Sequence, residues 1–223
     1  RRAERLGALA EELRAAHGRE VEPLGLDVTD PEAPARLLEA APRADVLVNN
    51  AGMGRFGPVL DAEPSEHLRS VRLNCEALTA LTLAVLPGMI ERQAGTIVNV
   101  GSIAGLQPVP YYAVYGATKA FVHSFSEALD AELEGKGVRV VAIAPGPVPT
   151  EFQQNAGSPD ASSHGSHVTP EHVAGVIYRA IVRPRILVFP ARFHWWQTFV
   201  QRFLPRRFVA RYAARKMRKR IEG

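Results

Sequence analysis

One cysteine, Cys75, is all that the 223 residues contain. That excludes an internal disulfide and a multi-cysteine metal site, and it fits a reducing cytoplasm. Long apolar runs are lacking too. The most apolar stretch, from Cys75 to Ile90, is interrupted by Glu76, two threonines and Pro87-Gly88, so it is expected to be too short and too polar to cross a bilayer. The first residues show no signal-peptide pattern. His164, His167 and His172 have no diagnostic spacing and no carboxylates beside them, so no metal site is expected.

Acids are scarce at one end. Residues 179–223 hold 13 Lys/Arg against the single acid Glu222, while the rest holds 14 bases and 22 acids. The net charge of +4 therefore conceals an acidic body with a basic tail. The chain divides accordingly into a domain over 1–190 and a basic, amphipathic helical tail over 191–223.

What is present is an alternation of short apolar runs and helical stretches. Strands are predicted at 21–28 (VEPLGLDV), 44–52 (ADVLVNNAG), 95–102 (GTIVNVGS), 137–146 (GVRVVAIAPG) and 185–190 (RILVFP). Helices are predicted from Asp30 as N-cap with Pro31 at the first position, over Ser65–Arg92, over Tyr111–Leu133 and over 170–183. Buried strands alternating with helices imply an α/β fold, a parallel sheet with helices on both faces. Ligands in such folds bind beyond the carboxyl ends of the strands. Asp27, Asn49, Asn50, Ser102, Pro145 and Gly146 all fall at predicted strand ends, so that edge is the expected site. Residues 150–169, rich in Gly, Ser, Asn and His, read as a loop suited to be a lid.

Three tyrosines crowd into VPYYAVYGATKAF, residues 109–121. Tyr111, Tyr112 and Tyr115 could all be core or interface aromatics. Lys119, however, lies one helical turn after Tyr115 and emerges on the same face. A nearby ammonium favours the phenolate, and lowering a phenol pKa by about three units takes roughly 4 kcal/mol. A tyrosine so tuned can exchange a proton with an alcohol oxygen, and Ser102 could bond the same oxygen.

In their order and spacing, NNAG (49–52), Asn74, VNVGSIAG (98–105), Tyr115-x-x-x-Lys119 and PGPVPT (145–150) resemble the short-chain dehydrogenase/reductase family. The motifs agree from about residue 20 to 150. The resemblance implies a three-layer, doubly wound Rossmann-like fold and hydride transfer between NAD(P)(H) and a carbonyl/alcohol pair, without metal. It implies Tyr115 as general acid/base and Lys119 as the group that lowers its pKa and holds the nicotinamide ribose. Ser102 would polarise the substrate oxygen, and Asn74 would hold a relay water. Asp27 and Val28 would contact adenine, and Asn50, Ala51 and Gly52 the adenosine ribose. Pro145, Gly146, Val148 and Thr150 would meet the nicotinamide. Asn49 is expected to tie strands together.

The family's opening Thr-Gly-x-x-x-Gly-x-Gly stretch has no counterpart in this sequence. The expectation is an N-terminally truncated fold lacking its first two strands, with a cleft between the strands ending at Asp27 and Asn49. Arg1 and Arg2 fall where family members that prefer NADP(H) over NAD(H) carry a basic residue. The resemblance also implies a homodimer or homotetramer. The tail offers either peripheral contact with the inner face of a membrane or packing over the pocket or another subunit; the acidic body argues against nucleic acid. The expected substrate is small and hydrophobic. The competing expectation is a non-catalytic, degenerate form of the same fold acting as a binding or membrane scaffold.

Overall fold

The computed structural model describes residues 3–158 and 168–221. Four of the apolar runs become a parallel sheet: β1 (Val46–Asn49), β2 (Gly95–Val100), β3 (Val138–Ile143) and β4 (Leu187–Val188), side by side in that order. Leu47 stands opposite Ile97, and Ile97 opposite Val140; one step on, Val98 stands opposite Val141. Successive side chains point to opposite faces, so one strand can feed two cores. On one face Ile97 and Val140 pack with Leu37 of α2 (Ala33–Ala40), Val85 and Met89 of α4 (Leu78–Glu91), and Leu129 of α5 (Ala113–Glu132). On the other, Val98, Val141 and Ile143 pack with Ala180 and Ile177 of α7 (Pro170–Val182). This is the expected three-layer α/β arrangement.

The predicted strand at 21–28 is not formed. A strand exists only by pairing its N–H and C=O groups with a neighbour, and among the described residues no strand lies beside it. The segment follows α1 (Ala3–His17) and ends in a turn in which Asp27 Oδ1 accepts from the Thr29 N–H at 3.1 Å and from the Thr29 hydroxyl at 2.7 Å. Helix α2 also begins later than expected. Asp30 Oδ1 accepts from Glu32 N, which closes a turn before the helix instead of capping it.

The predicted Ser65–Arg92 helix is continuous but not uniform. α3 (Pro64–Val71) passes through a π-helical turn, Arg72–Ala77, into α4. The resulting 28-residue helix is long and apolar enough to cross a membrane by length and composition, contrary to the expectation from the shorter run. Its Val85, Leu86 and Met89 are instead in the protein core. In the expected 150–169 loop, residues Glu151–Asn155 form a short helix, α6, capped by Thr150; residues 159–167 lie outside the described part. The tail comprises α8 (Arg192–Gln201) and α9 (Arg206–Ile221), which follows the break at Pro205.

Candidate active site

The carboxyl ends of β1, β2 and β3 bring the sequence-predicted residues to one edge. Asn49, buried at the end of β1, donates to Thr82 Oγ1 at 3.0 Å and to Asn99 Oδ1 at 2.9 Å. Asn99 donates onward to Ser126 Oγ at 2.9 Å. Asn49 thus ties β1 to β2 and to the helices below. Ser102 follows β2 directly, and its Oγ accepts from Ala104 N at 3.1 Å, which starts the short 3-10 turn Ile103–Gly105. The next amide, Ile103 N, donates to Pro145 O at 3.0 Å, so the serine and the Pro145-Gly146 turn are held together.

Helix α5 crosses this turn closely. A Cβ at Gly105 would lie 2.4 Å from the backbone carbon of Lys119, so only glycine admits the crossing. Two α5 side chains, one turn apart, then grip alternate carbonyls at the end of β2. Buried Lys119 donates from Nζ to Val100 O at 2.7 Å. Buried His123 places Nε2 2.8 Å from Ser102 O. That contact needs the proton on Nε2, which leaves Nδ1 buried without a partner. Burial holds the His123 imidazole below its ordinary value, and Lys119 adds to the effect. Gly101 makes room for the ring, since a Cβ there would stand 2.4 Å from His123 Cε1. Sequence reasoning missed His123, because a lone histidine on a helix looks like any core residue. The signal was its position four residues after Lys119.

Tyr115 sits among aromatic rings. Its centroid is 5.3 Å from that of Tyr112 and 5.3 Å from that of Phe152 on α6, and Phe56 extends the row beyond Tyr112 at 5.0 Å. Gly54 permits the approach, for a Cβ there would meet Tyr115 Cδ2 at 2.7 Å. Burial pushes the Tyr115 phenol up to about 12, against a hydrogen bond from the Ser102 side chain that pulls it down. The expected depression by Lys119 is therefore reversed in this conformation. The ammonium lies 5.8 Å from the ring centroid, is engaged by Val100 O, and is itself pulled by burial down to about 8. Tyr111, the first of the three, has a left-handed backbone at φ 66°, and its hydroxyl is 3.4 Å from Arg218 Nε of the tail.

Asn74 lies fully buried in the π-helical turn. Its Oδ1 accepts from Met53 N at 3.0 Å, and its Nδ2 donates to Met53 O at 2.8 Å and Thr118 Oγ1 at 2.9 Å. The amide thus latches the loop after β1 onto the helices on either side of the site. With its side chain so occupied, a water held by Asn74 would have to use the backbone of the widened turn.

The proposed cofactor residues are partly brought together. Gly52 and Thr150 line a cleft of about 700 Å³ with Arg5, Met53, Leu73 and Phe152. The cleft does lie beside the end of β1, as expected, but its far wall is α1 and α6, because no strand ends at Asp27. Asn50 and Ala51 are exposed next to it, and Pro145, Gly146 and Val148 are half-buried at the end of β3. Asp27 is exposed, Val28 is half-buried, and neither lines the cleft. Arg1 and Arg2 lie outside the described residues. Arg5, which sequence reasoning missed, reaches across the cleft to Glu151 Oε1 at 3.0 Å. The residues fit the nicotinamide-ribose half of a dinucleotide. A Cβ at Gly52 would stand 3.4 Å from both Lys119 Nζ and Asn74 Oδ1, so the bare Cα leaves the ammonium approachable from the cleft. Lys119 carries three N–H donors, of which Val100 O takes one.

Known proteins share this arrangement. The short chain dehydrogenase family profile matches residues 1–161. Sulfoacetaldehyde reductase 2 of Chromohalobacter salexigens is 39% identical over 213 residues, covering 87% of this chain and 84% of its own. Serine 3-dehydrogenase of Agrobacterium fabrum is 38% identical over 197 residues, covering 83% and 77% respectively. A short-chain dehydrogenase from Sphingobium yanoikuyae, solved in complex with NADPH, superimposes with a TM-score of 0.80 at 31% identity, covering 91% of this chain and 81% of its own. With fold and sequence in agreement, the chain belongs to the short-chain dehydrogenase family of NAD(P)-dependent oxidoreductases acting on CH–OH groups.

Proposed function

We propose that the protein reduces a small carbonyl compound with NADPH, Tyr115 supplying the proton. The observation that carries this reading is the placement of Tyr115: its ring lies beside those of Tyr112 and Phe152, the Ser102 side chain acts on its hydroxyl, and Lys119 Nζ is 5.8 Å from its ring centroid. A phenol so placed can give its proton to the oxygen of a bound carbonyl, and take one back from an alcohol in the reverse direction. Bound NADPH would supply the hydride. Ser102, pinned through its own backbone by His123, bonds and polarises the substrate oxygen while Tyr115 protonates it. Lys119 holds the ribose hydroxyls from beneath Gly52 and returns a proton to the phenol, with Asn74 keeping the Met53 loop against both. The aromatic row Phe56–Tyr112–Tyr115–Phe152 gives the substrate an apolar, water-poor wall, which favours a small hydrophobic carbonyl compound.

A preference for NADP(H) over NAD(H) is supported by Arg1 in the sequence, the candidate for a 2′-phosphate, and by the NADPH in the Sphingobium relative. Pairing of two or four copies is supported by Leu68, Leu83 and Phe121, large apolar side chains exposed along α3, α4 and α5. Work in the cytoplasm is consistent with the single free cysteine. The test is NADPH oxidation against a panel of short aldehydes and apolar ketones. Tyr115→Phe should lower reduction by about 10²- to 10⁴-fold and leave NADPH binding, read by fluorescence titration, within about twofold. Undiminished turnover in that variant would remove Tyr115 from the chemistry.

A further inference from the structure

We propose that the outer face of α8 and the start of α9 form a docking surface for an anionic lipid bilayer. On α8 and just after it, Phe193, Trp196, Val200 and Phe203 follow helical spacing and are 72%, 55%, 53% and 75% exposed. Four large apolar side chains turned to solvent on one face is the reverse of what a helix packed over a core would show. The rings support one another: Trp195 stacks on Phe199 at 5.4 Å and 9°, and Phe199 meets Phe203 edge-on at 5.4 Å. The opposite side is anchored, with Thr198 and Val209 buried against the body. The helices are thus held in place while their aromatic side is left uncovered.

The charge beside that face selects the partner. Arg202, Arg206, Arg207 and Arg211 are exposed and make no ion pair with a described residue. Across 192–223 there are ten Lys/Arg and one acid. Tryptophan and phenylalanine beside arginines suit the headgroup level of a bilayer, where rings enter the acyl boundary and cations meet anionic lipid. A second copy of the chain is a poorer occupant, because a two-fold contact would set the same arginines against each other. The anchored side of these helices adjoins the substrate side as well. His194, on the same helix, packs so closely on Gly146 that a Cβ there would stand 2.0 Å from its ring, and Arg218 reaches Tyr111.

The test is sedimentation of the full chain with vesicles of phosphatidylcholine, alone or with about one third phosphatidylglycerol. The expected result is at least about tenfold stronger partitioning onto the anionic vesicles, falling as salt is raised. Two surface variants separate the contributions: Phe193→Ser/Trp196→Ser/Phe203→Ser and Arg206→Glu/Arg207→Glu/Arg211→Glu. Each should cut partitioning about tenfold or more while the thermal midpoint and NADPH oxidation stay unchanged. Equal or absent partitioning on the two vesicle types, or full binding by both variants, overturns the proposal. So does light scattering that shows the aromatic face mediating self-association with no vesicle binding. Because vesicle binding is read without turnover, its failure leaves the carbonyl-reductase reading standing.

Discussion

The layer beneath the proposed catalytic residues and the C-terminal helices are opposites. Under the site, Asn49, Asn99, Thr82 and Ser126 are buried and joined to one another, as are Asn74 and Thr118. Polar groups out of reach of water must be paired, so each fixes its neighbours. In α8 and α9 the large side chains face outward, and few residues touch the body. One region spends its side chains on holding itself in a single geometry. The other holds little of the fold in place and presents its side chains outward. A joined set of polar side chains inside the molecule therefore signals precision, while an apolar set outside signals contact.

The sharpest way to break the comparison is to remove the centre of the buried network. Asn99→Leu would leave Asn49 and Ser126 without their shared partner, and we expect a loss of about 3 kcal/mol in urea unfolding, with most reductase activity lost. A loss below about 1 kcal/mol would show that water or repacking replaces the bonds. The next effect is electrostatic. Lys119 is pulled to about 8 in the folded chain from an ordinary 10.5. Between those pH values the unfolded chain binds a proton that the folded chain has released, so stability should rise with pH across that window. Tyr115, at about 12 against an ordinary 10.0, acts with the opposite sign above pH 10. Lys119→Met should abolish the rise, a change of about 1–3 kcal/mol read from unfolding curves at pH 8 and 10. The smallest effect belongs to the tail. Phe203→Ser should alter stability by no more than about 0.5 kcal/mol, measured by thermal unfolding; a larger loss would mean that the ring is packed rather than presented.

Much of this was legible in sequence. β2 and β3 announced themselves because both of their faces are covered and their residues are almost all apolar, and β1 by its apolar run alone, since Val46 and Val48 on one of its faces are exposed. Tyr115, Lys119 and Ser102 announced themselves by spacing and by falling on a helix and at a strand end. The apolar alternation of 21–28 misled, because it reports a preference and not the presence of a partner strand. The aromatic enclosure of Tyr115 was hidden because Phe152 arrives from 37 positions away through α6. His123 was hidden because its role is a bond to a backbone atom, which leaves no mark on the residue it serves.

The π-helical turn Arg72–Ala77 has a consequence for how one long helix can answer to two surroundings. An α-helix advances about 100° per residue, so a turn widened to i→i+5 works as a phase shifter between its two ends. Downstream, Val85 and Met89 keep time with the hydrophobic core; at the shift itself, Asn74 keeps time with the Met53 loop. Removing one residue there would restore a regular screw but turn one stretch by about 100° against the other. Core and catalytic edge would then need different rotations of the same rod, and only one of them could be in step.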